Sequence, residues 1–283
     1  MELHQNSRIL YLGPEGSYSE LAASNFFPDS RLTPVDNFEE IYQQLSPHDF
    51  AVIPVENSIG GSVHIHIDEL FSGKYWITRE LFLPINHSLL GRKNVAVNEI
   101  TKIFLHPQTR AQCSSFLAKN NHWEQEMVSS NSEAARLVAE SPNNTVATIA
   151  GSHTAQRYNL AILQSLVSNV KENYTRFVVI RTRRDDKLTG EQVRKKYSIV
   201  FELPHETGSL AHVLNQLVTM ECNMTKIESR PKPDSPWSYF FMIDFINVNG
   251  TDISALLRVT ENLQVIGIYE QGTYERSSRN LVM

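Results

Sequence analysis

Short apolar runs, each followed by a polar turn and then by apolar residues at helical spacing, recur through the first 180 residues of the chain. The first run predicts a strand over 9–12 and a turn over 13–16. A helix then opens at Ser17-Tyr18-Ser19-Glu20, which has capping-box spacing and puts Leu21, Ala22, Ala23 and Phe26 at helical intervals. Asp36 and Glu39 start a second helix in the same manner. Further strands are expected over 50–55, with Pro54 at the exit, and over 103–105, where Pro107 suits the first turn of the next helix. Ser130 and Glu133 cap a helix ending near Pro142. A strand over 146–149, a helix from Gly151 to Tyr158 and a buried strand at Val178-Val179-Ile180 complete the series. Alternating strands and helices predict an α/β unit.

The pattern then breaks. Residues 181–196 read RTRRDDKLTGEQVRKK, charged and nearly free of large apolar side chains, and are expected to be a linker. Beyond it come a strand over 197–203 and a helix over 210–220 carrying Leu210, Val213, Leu214, Leu217 and Val218. Strands over 224–229 and 237–247, a helix over 253–263 and a last strand over 265–274 follow. The order βαββαβ is that of a ferredoxin-like unit. No internal repeat or low-complexity tract appears.

Composition narrows the function class. The chain has 283 residues, enough for two domains, with 41% hydrophobic and 20% charged residues, as in an ordinary globular protein. The formal net charge is −5, and no long basic stretch points to nucleic acid. No charged-then-apolar leader and no apolar stretch of membrane-spanning length is present, so a cytoplasmic protein is expected. Cys113 and Cys222 are then expected to be free thiols in different domains.

Four polar clusters stand where strands end. Gly13-Pro14-Glu15-Gly16-Ser17-Tyr18-Ser19 fits either an anion cradle at a helix start or an ordinary capped turn; it lacks the G-x-G-x-x-G spacing of a dinucleotide site. Pro54-Val55-Glu56-Asn57-Ser58-Ile59-Gly60-Gly61-Ser62-Val63 delivers Glu56, Asn57 and Ser58 at a strand's carboxyl end, where ligands sit in open α/β sheets, or forms a loop bonded to its own backbone. His106-Pro107-Gln108-Thr109-Arg110-Ala111-Gln112 sets Gln108 and Gln112 on one helix face. Asn173-Tyr174-Thr175-Arg176-Phe177 sets a hydroxyl beside a guanidinium at the mouth of a buried strand, which suits an anionic substrate that loses a hydroxyl group, or a cap beside a surface arginine. His64 and His66 alternate as on a strand but have no third ligand nearby, so no metal is expected. No serine-nucleophile elbow is present.

Taken in order, GPEGSYSE, PVENSIGGSV, HPQTRAQC and NYTRF resemble the catalytic domain of the prephenate dehydratase family, and the region after the linker resembles an ACT domain. The resemblance covers essentially the whole chain. It implies a two-lobed catalytic domain of the periplasmic-binding-protein type II fold over 1–182, with lobes at about 8–80 plus 174–182 and at 81–170. A linker at 183–195 and a ferredoxin-like ACT domain at 196–283 follow. No chorismate mutase region precedes residue 8, as in the monofunctional form.

The resemblance also assigns roles. Thr175, Arg176, Glu56 and Asn57 are the implied catalytic residues, and Ser17, Tyr18, Ser58, Gln112 and Phe177 the implied substrate-binding ones. Gly208-Ser209-Leu210 and Glu228-Ser229-Arg230-Pro231 match the two motifs of a phenylalanine-binding site. Three positions depart from the family pattern: Leu105 stands where many relatives have Ser, Ser17 replaces Thr, and Ser209 replaces Ala. The implied reaction is the decarboxylating dehydration of prephenate to phenylpyruvate, inhibited by L-phenylalanine, in a homodimer or homotetramer. Aromatisation drives it, so no cofactor is expected. In this reading Thr175 donates to the departing hydroxyl and Arg176 holds the pyruvyl carboxylate, because a cation on the carboxylate that leaves would oppose decarboxylation. Arogenate dehydratase and a non-catalytic amino-acid sensor are the alternatives.

Overall fold

The structure is a computed structural model that describes residues 7–184, 194–232 and 235–272. Two sheets organise it. In the larger, β1 (Ile9–Leu12) lies between parallel neighbours β2 (Leu32–Val35) and β3 (Phe50–Asn57). Next to β3 come β11 (Tyr174–Thr182), antiparallel to it, and β5 (Tyr75–Pro84), antiparallel to β11. A two-residue strand, β4 (Gly61–Ser62), pairs back onto β3. Helices α1 (Tyr18–Phe26), α2 (Phe38–Gln44) and α3 (His64–Phe71) flank this half. The second sheet has the order β10 (Ala161–Gln164), β6 (His87–Gly91), β9 (Val146–Gly151), β7 (Lys102–Leu105), β8 (Glu124–Met127). Its helices are α4 (Pro107–Gln112), α5 (Ser114–Lys119), α6 (Asn131–Glu140) and α7 (Ser152–Arg157).

The caps form where the residues call for them. Ser17 Oγ accepts from Glu20 N at 3.2 Å and Ser130 Oγ from Glu133 N at 3.0 Å, each satisfying an amide that the first helical turn leaves open. The second helix starts one residue later than expected: Asn37, not Asp36, caps it by accepting from Glu40 N at 2.9 Å. His64 and His66 lie in the first turn of α3 rather than on a strand. Ile67, Leu70 and Phe71 repeat at helical spacing and bury that face, which overrides the His-x-His alternation. His66 is buried against Phe38 and Tyr42, while His64 is exposed.

The chain crosses between the sheets twice, from Pro84 to His87 and from Gln164 to Tyr174. The crossings run side by side, with Ile85 N donating to Asn173 O at 2.7 Å. The first crossing comes after residue 84, not 80, because β5 stays in the larger sheet to its end. Strand direction decides what faces the gap. The carboxyl ends of β1, β3 and β5 and the amino end of β11 share one edge of the larger sheet. The amino end of β6 and the carboxyl ends of β7 and β9 share the facing edge of the smaller.

Residues after the linker add β12 (Lys195–Glu202), α8 (Ser209–Thr219), β13 (Cys222–Lys232), β14 (Ser235–Asn247), a 3-10 turn at Ile253–Arg258 and β15 (Glu261–Glu270). The expected helix over 253–263 is cut to that turn, and Asn262 takes a left-handed φ of 50° that no continuing helix allows. These strands, ordered β13-β14-β12-β15, extend the larger sheet because β15 pairs in parallel with β5 at Gly267 and Ile77. A Cβ at Gly267 would stand 2.8 Å from Ile77 O, so the joint requires glycine. Most of the expected linker, residues 185–193, lies outside the described residues; its two ends are strand. Among the described residues no helix is long and apolar enough to cross a membrane, and Cys113 and Cys222 are free thiols.

Candidate active site

The facing edges carry most of the polar residues singled out in the sequence. At the larger sheet's edge Asn57 is the hub. Its Oδ1 accepts from Ile59 N at 3.0 Å and Gly60 N at 2.8 Å, which fixes which end of the amide is which. Its Nδ2 therefore points at Thr175 Oγ1 (3.0 Å), Asn173 Oδ1 (2.7 Å) and Tyr174 O (3.2 Å). Ser58 closes the knot by donating to Asn173 Oδ1 and accepting from Tyr174 N at 2.9 Å. Thr175 thus accepts a bond from a fixed donor, and its own O–H is left to donate. Register explains the meeting: Thr175 pairs directly with Asn57 across β11 and β3, although 118 residues separate them.

The two edges touch through the Gly16-Ser17-Tyr18 corner. Gly16 O accepts from Thr154 Oγ1 at 3.2 Å and lies 3.0 Å from His153 Nε2. Gly16 has a φ of 84°, and a Cβ there would meet Ser132 and Tyr158, so only glycine lets the corner approach. Arg157 pairs with Glu15 and, at 3.3 Å, with Glu20. Tyr18 donates to Asn86 O at 2.6 Å, and its ring meets His153 edge-on and lies near His87. His87 Nε2 is 2.9 Å from Gln112 Oε1. Burial holds the His87 imidazole below its ordinary pKa, against the opposing pull of the Gln112 bond, and does the same to His153. A neutral His87 that donates from Nε2 fixes the Gln112 amide with its NH2 end free. Ser17 itself is committed to capping, and its Oγ also donates to Leu12 O at 3.1 Å.

Other expected site residues go elsewhere. Side chains alternate along β11, so Arg176 points away from Thr175. Its guanidinium is buried: Nε donates to Glu80 at 2.7 Å, Nη1 to Asp244 at 2.5 Å and Nη2 to Tyr269 Oη at 2.9 Å. The expected contact with a substrate carboxylate is corrected accordingly. Glu56 pairs with Arg176 in register and faces the same side, 3.5 Å from Lys226 Nζ. Phe177 is 2% exposed, in the core with Tyr11, Leu83 and Val179, beneath the edge rather than lining it. Leu105 is fully buried.

The expected effector motifs divide by the same alternation. Ser229 pairs with Phe241 on the α8 face of the C-terminal strands, and Phe241 shares a cavity with Ser209 and Leu210. This surface cavity of about 550 Å³ is lined by Glu202, Glu206, Glu261, Trp237, Tyr239 and Phe241 among others. Gly208, with a φ of 89°, starts α8 beside it, and Pro231 pairs with Tyr239. Glu228 and Arg230 face the opposite way: Glu228 accepts from Ser62 Oγ at 2.5 Å, and Arg230 forks onto Asp68 at 2.7 and 3.0 Å.

Reasoning from sequence assigned no role to His87, His153 or Asn173. Asn173 stood inside the NYTRF cluster, but the two histidines carry no local signal, since their partners lie in other elements. Among the described residues no group of three or more His, Cys, Asp or Glu is placed to hold a metal ion.

Comparison with known proteins gives this arrangement a family. The prephenate dehydratase family model matches residues 9–185. The chain is 34% identical over 269 residues to a prephenate dehydratase from Methanocaldococcus jannaschii, covering 90% of this chain and 94% of that one. Among solved structures, a prephenate dehydratase from Arthrobacter aurescens in complex with L-Phe aligns with a TM-score of 0.78 at 25% identity, covering 93% of this chain and 90% of that one. A prephenate dehydratase from Staphylococcus aureus subsp. aureus Mu50 has the same fold, with a TM-score of 0.81 at 24% identity, covering 93% of this chain and all of that one. The chain belongs to the prephenate dehydratase family.

Proposed function

We propose that the chain catalyses decarboxylating dehydration of prephenate to phenylpyruvate, a step in phenylalanine biosynthesis, between the two facing sheet edges. The bond from Asn57 Nδ2 to Thr175 Oγ1 carries this reading. As the ring carboxylate leaves as carbon dioxide, its bonding electron pair moves into the ring, and the ring hydroxyl departs with one proton as water. Thr175 donates a hydrogen bond to that departing oxygen, and solvent restores any proton it transfers. A threonine hydroxyl is a poor acid, so its work is positioned hydrogen bonding, and the Asn57 amide stabilises the charge that grows on Oγ1. Gln112, held by His87, supplies a second orienting donor. Tyr18 shapes the wall, and Ser58 keeps Asn173, and through it Asn57, in place.

In this reading residues 9–84 and 174–182 form one lobe, 87–164 the other, and 195–272 a regulatory ACT domain. Phenylalanine is its effector: Glu206 and Glu261 suit an ammonium group, and Trp237, Tyr239 and Phe241 suit an aromatic ring. The exposed apolar residues Met224 and Ile227 on edge strand β13 favour a homo-oligomer, and two free thiols fit the cytoplasm. The test follows phenylpyruvate release from prephenate, with arogenate as a parallel substrate and with added phenylalanine. Turnover of prephenate that phenylalanine suppresses is expected. Turnover of arogenate alone, or of neither substrate, contradicts the assignment.

A further inference from the structure

Arg176 directly follows Thr175 in the NYTRF motif, yet every partner of its guanidinium lies on the other side of the sheet. Two of those partners, Asp244 on β14 and Tyr269 on β15, belong to the C-terminal strands. The third, Glu80, is shared: Lys196 Nζ donates to it at 2.8 and 3.1 Å, and Gly272 N at 2.9 Å. Ser198 joins Asp244 (2.6 Å) to Tyr269 (2.7 Å). Two cations face two carboxylates, all four residues 6% exposed or less. A substrate carboxylate would have to displace two buried carboxylates to reach this guanidinium.

We infer that Arg176 is a positioning residue: anchored to Asp244 and Tyr269 of the C-terminal strands, it holds the amino end of β11 where Thr175 meets Asn57. The geometry is direct. Thr175 and Arg176 are neighbours on one strand, and the joint at Gly267 brings the C-terminal strands alongside β5, next to β11. A shift of β14 or β15 therefore moves Arg176, and with it the oxygen that serves the reaction. This inference rests on the reading of Thr175 as the donor.

The test uses the full-length protein and the variants Asp244→Asn, Tyr269→Phe and Arg176→Lys. None of the three positions borders the Thr175 side of the sheet. Each is assayed for kcat and KM on prephenate and for thermal midpoint, with Thr175→Ala alongside. Mutations in such coupling contacts shift function by about 2- to 30-fold. The expected result is a fall of that size in kcat for Asp244→Asn and Tyr269→Phe, with KM within about twofold, at assay temperatures where both are folded. If Asp244→Asn does not fold, Tyr269→Phe decides. Wild-type kcat in a folded Tyr269→Phe or Asp244→Asn overturns the inference. So does Arg176→Lys that raises KM and leaves kcat alone, since that marks a substrate ligand. A Thr175→Ala protein with unchanged kcat defeats the underlying reading instead, and is distinguishable because it does so whatever the other variants show.

Discussion

The two faces of β11 are built on opposite plans. On one, Thr175 accepts from the neutral amide of Asn57, which is joined to Asn173 and through it to Ser58, next to the gap between the sheets. On the other, one residue along, Arg176 sits in a buried network of formal charges that ties β5 and β11 to the C-terminal strands. The first arrangement leaves a hydrogen-bond donor unspent. The second spends every named donor inside the protein. Under the role proposed for Thr175, adjacent residues of a single sequence motif serve chemistry and scaffold separately, because a strand sends them to opposite faces.

The largest effect expected on this contrast comes from breaking the charged face. Arg176→Met leaves Asp244 and Glu80 buried with Lys196 alone to balance them, and should cost about 3–5 kcal/mol of unfolding free energy in urea titration. The Arg176 charge, with Lys196 and the Ser198 hydroxyl, holds the Asp244 carboxyl below its ordinary pKa against the upward push of burial. A loss under about 1 kcal/mol would mean that the network is not closed as described. On the neutral face, Asn57→Asp keeps the acceptor for Ile59 and Gly60 but removes the donor to Thr175. By analogy with loss of one preorganised donor, kcat should fall about 10²–10³-fold in the folded variant, with a loss of stability because the new carboxylate oxygen faces Asn173 Oδ1 and Tyr174 O. A kcat within about threefold of wild type would separate Asn57 from the chemistry.

A third prediction concerns pH and the Arg176 side of the sheet, where α3 packs. Burial lowers the His66 pKa from 6.5 to about 3. The unfolded chain therefore binds a proton there as pH falls below 6.5, and the folded one does not until about pH 3. Stability contributed by this site is full above pH 6.5 and is lost as pH falls, with a slope approaching about 1.4 kcal/mol per pH unit. His66→Gln should flatten that part of the stability curve; an unchanged slope would assign it to other groups. The smallest effect belongs to Arg230 and Asp68, a partly exposed pair. Asp68→Asn should change stability by less than about 1 kcal/mol, so a larger loss would make that contact part of the joint.

What could be read from the sequence was local. Ser17 and Ser130 cap helices through amides three residues away, and Asn57 and Thr175 stand at the ends of apolar runs, so the α/β pattern was legible, while the meeting of Asn57, Asn173 and Thr175 across more than a hundred residues was not. Nor was the charged face. Glu80 meets partners 96, 116 and 192 residues distant, and β5 reads poorly as a strand because Arg79 and Glu80 interrupt its apolar run. Lys196 looked like the tail of a charged linker, although β12 buries it. The same blindness put Arg176 on a substrate: a cation beside a candidate donor hydroxyl invites that assignment until alternation and a distant Asp244 are known. His87 was silent because its meaning comes only from Gln112, 25 residues later.

The most direct test replaces the Thr175 hydroxyl with a methyl group of nearly the same shape. Thr175→Val and Thr175→Ser are compared for kcat and KM on prephenate. With the hydroxyl as donor, Val should lower kcat by about 10²–10⁴-fold with KM nearly unchanged, and Ser should restore most of it. A Val variant that turns over prephenate at the wild-type rate would contradict the central assignment.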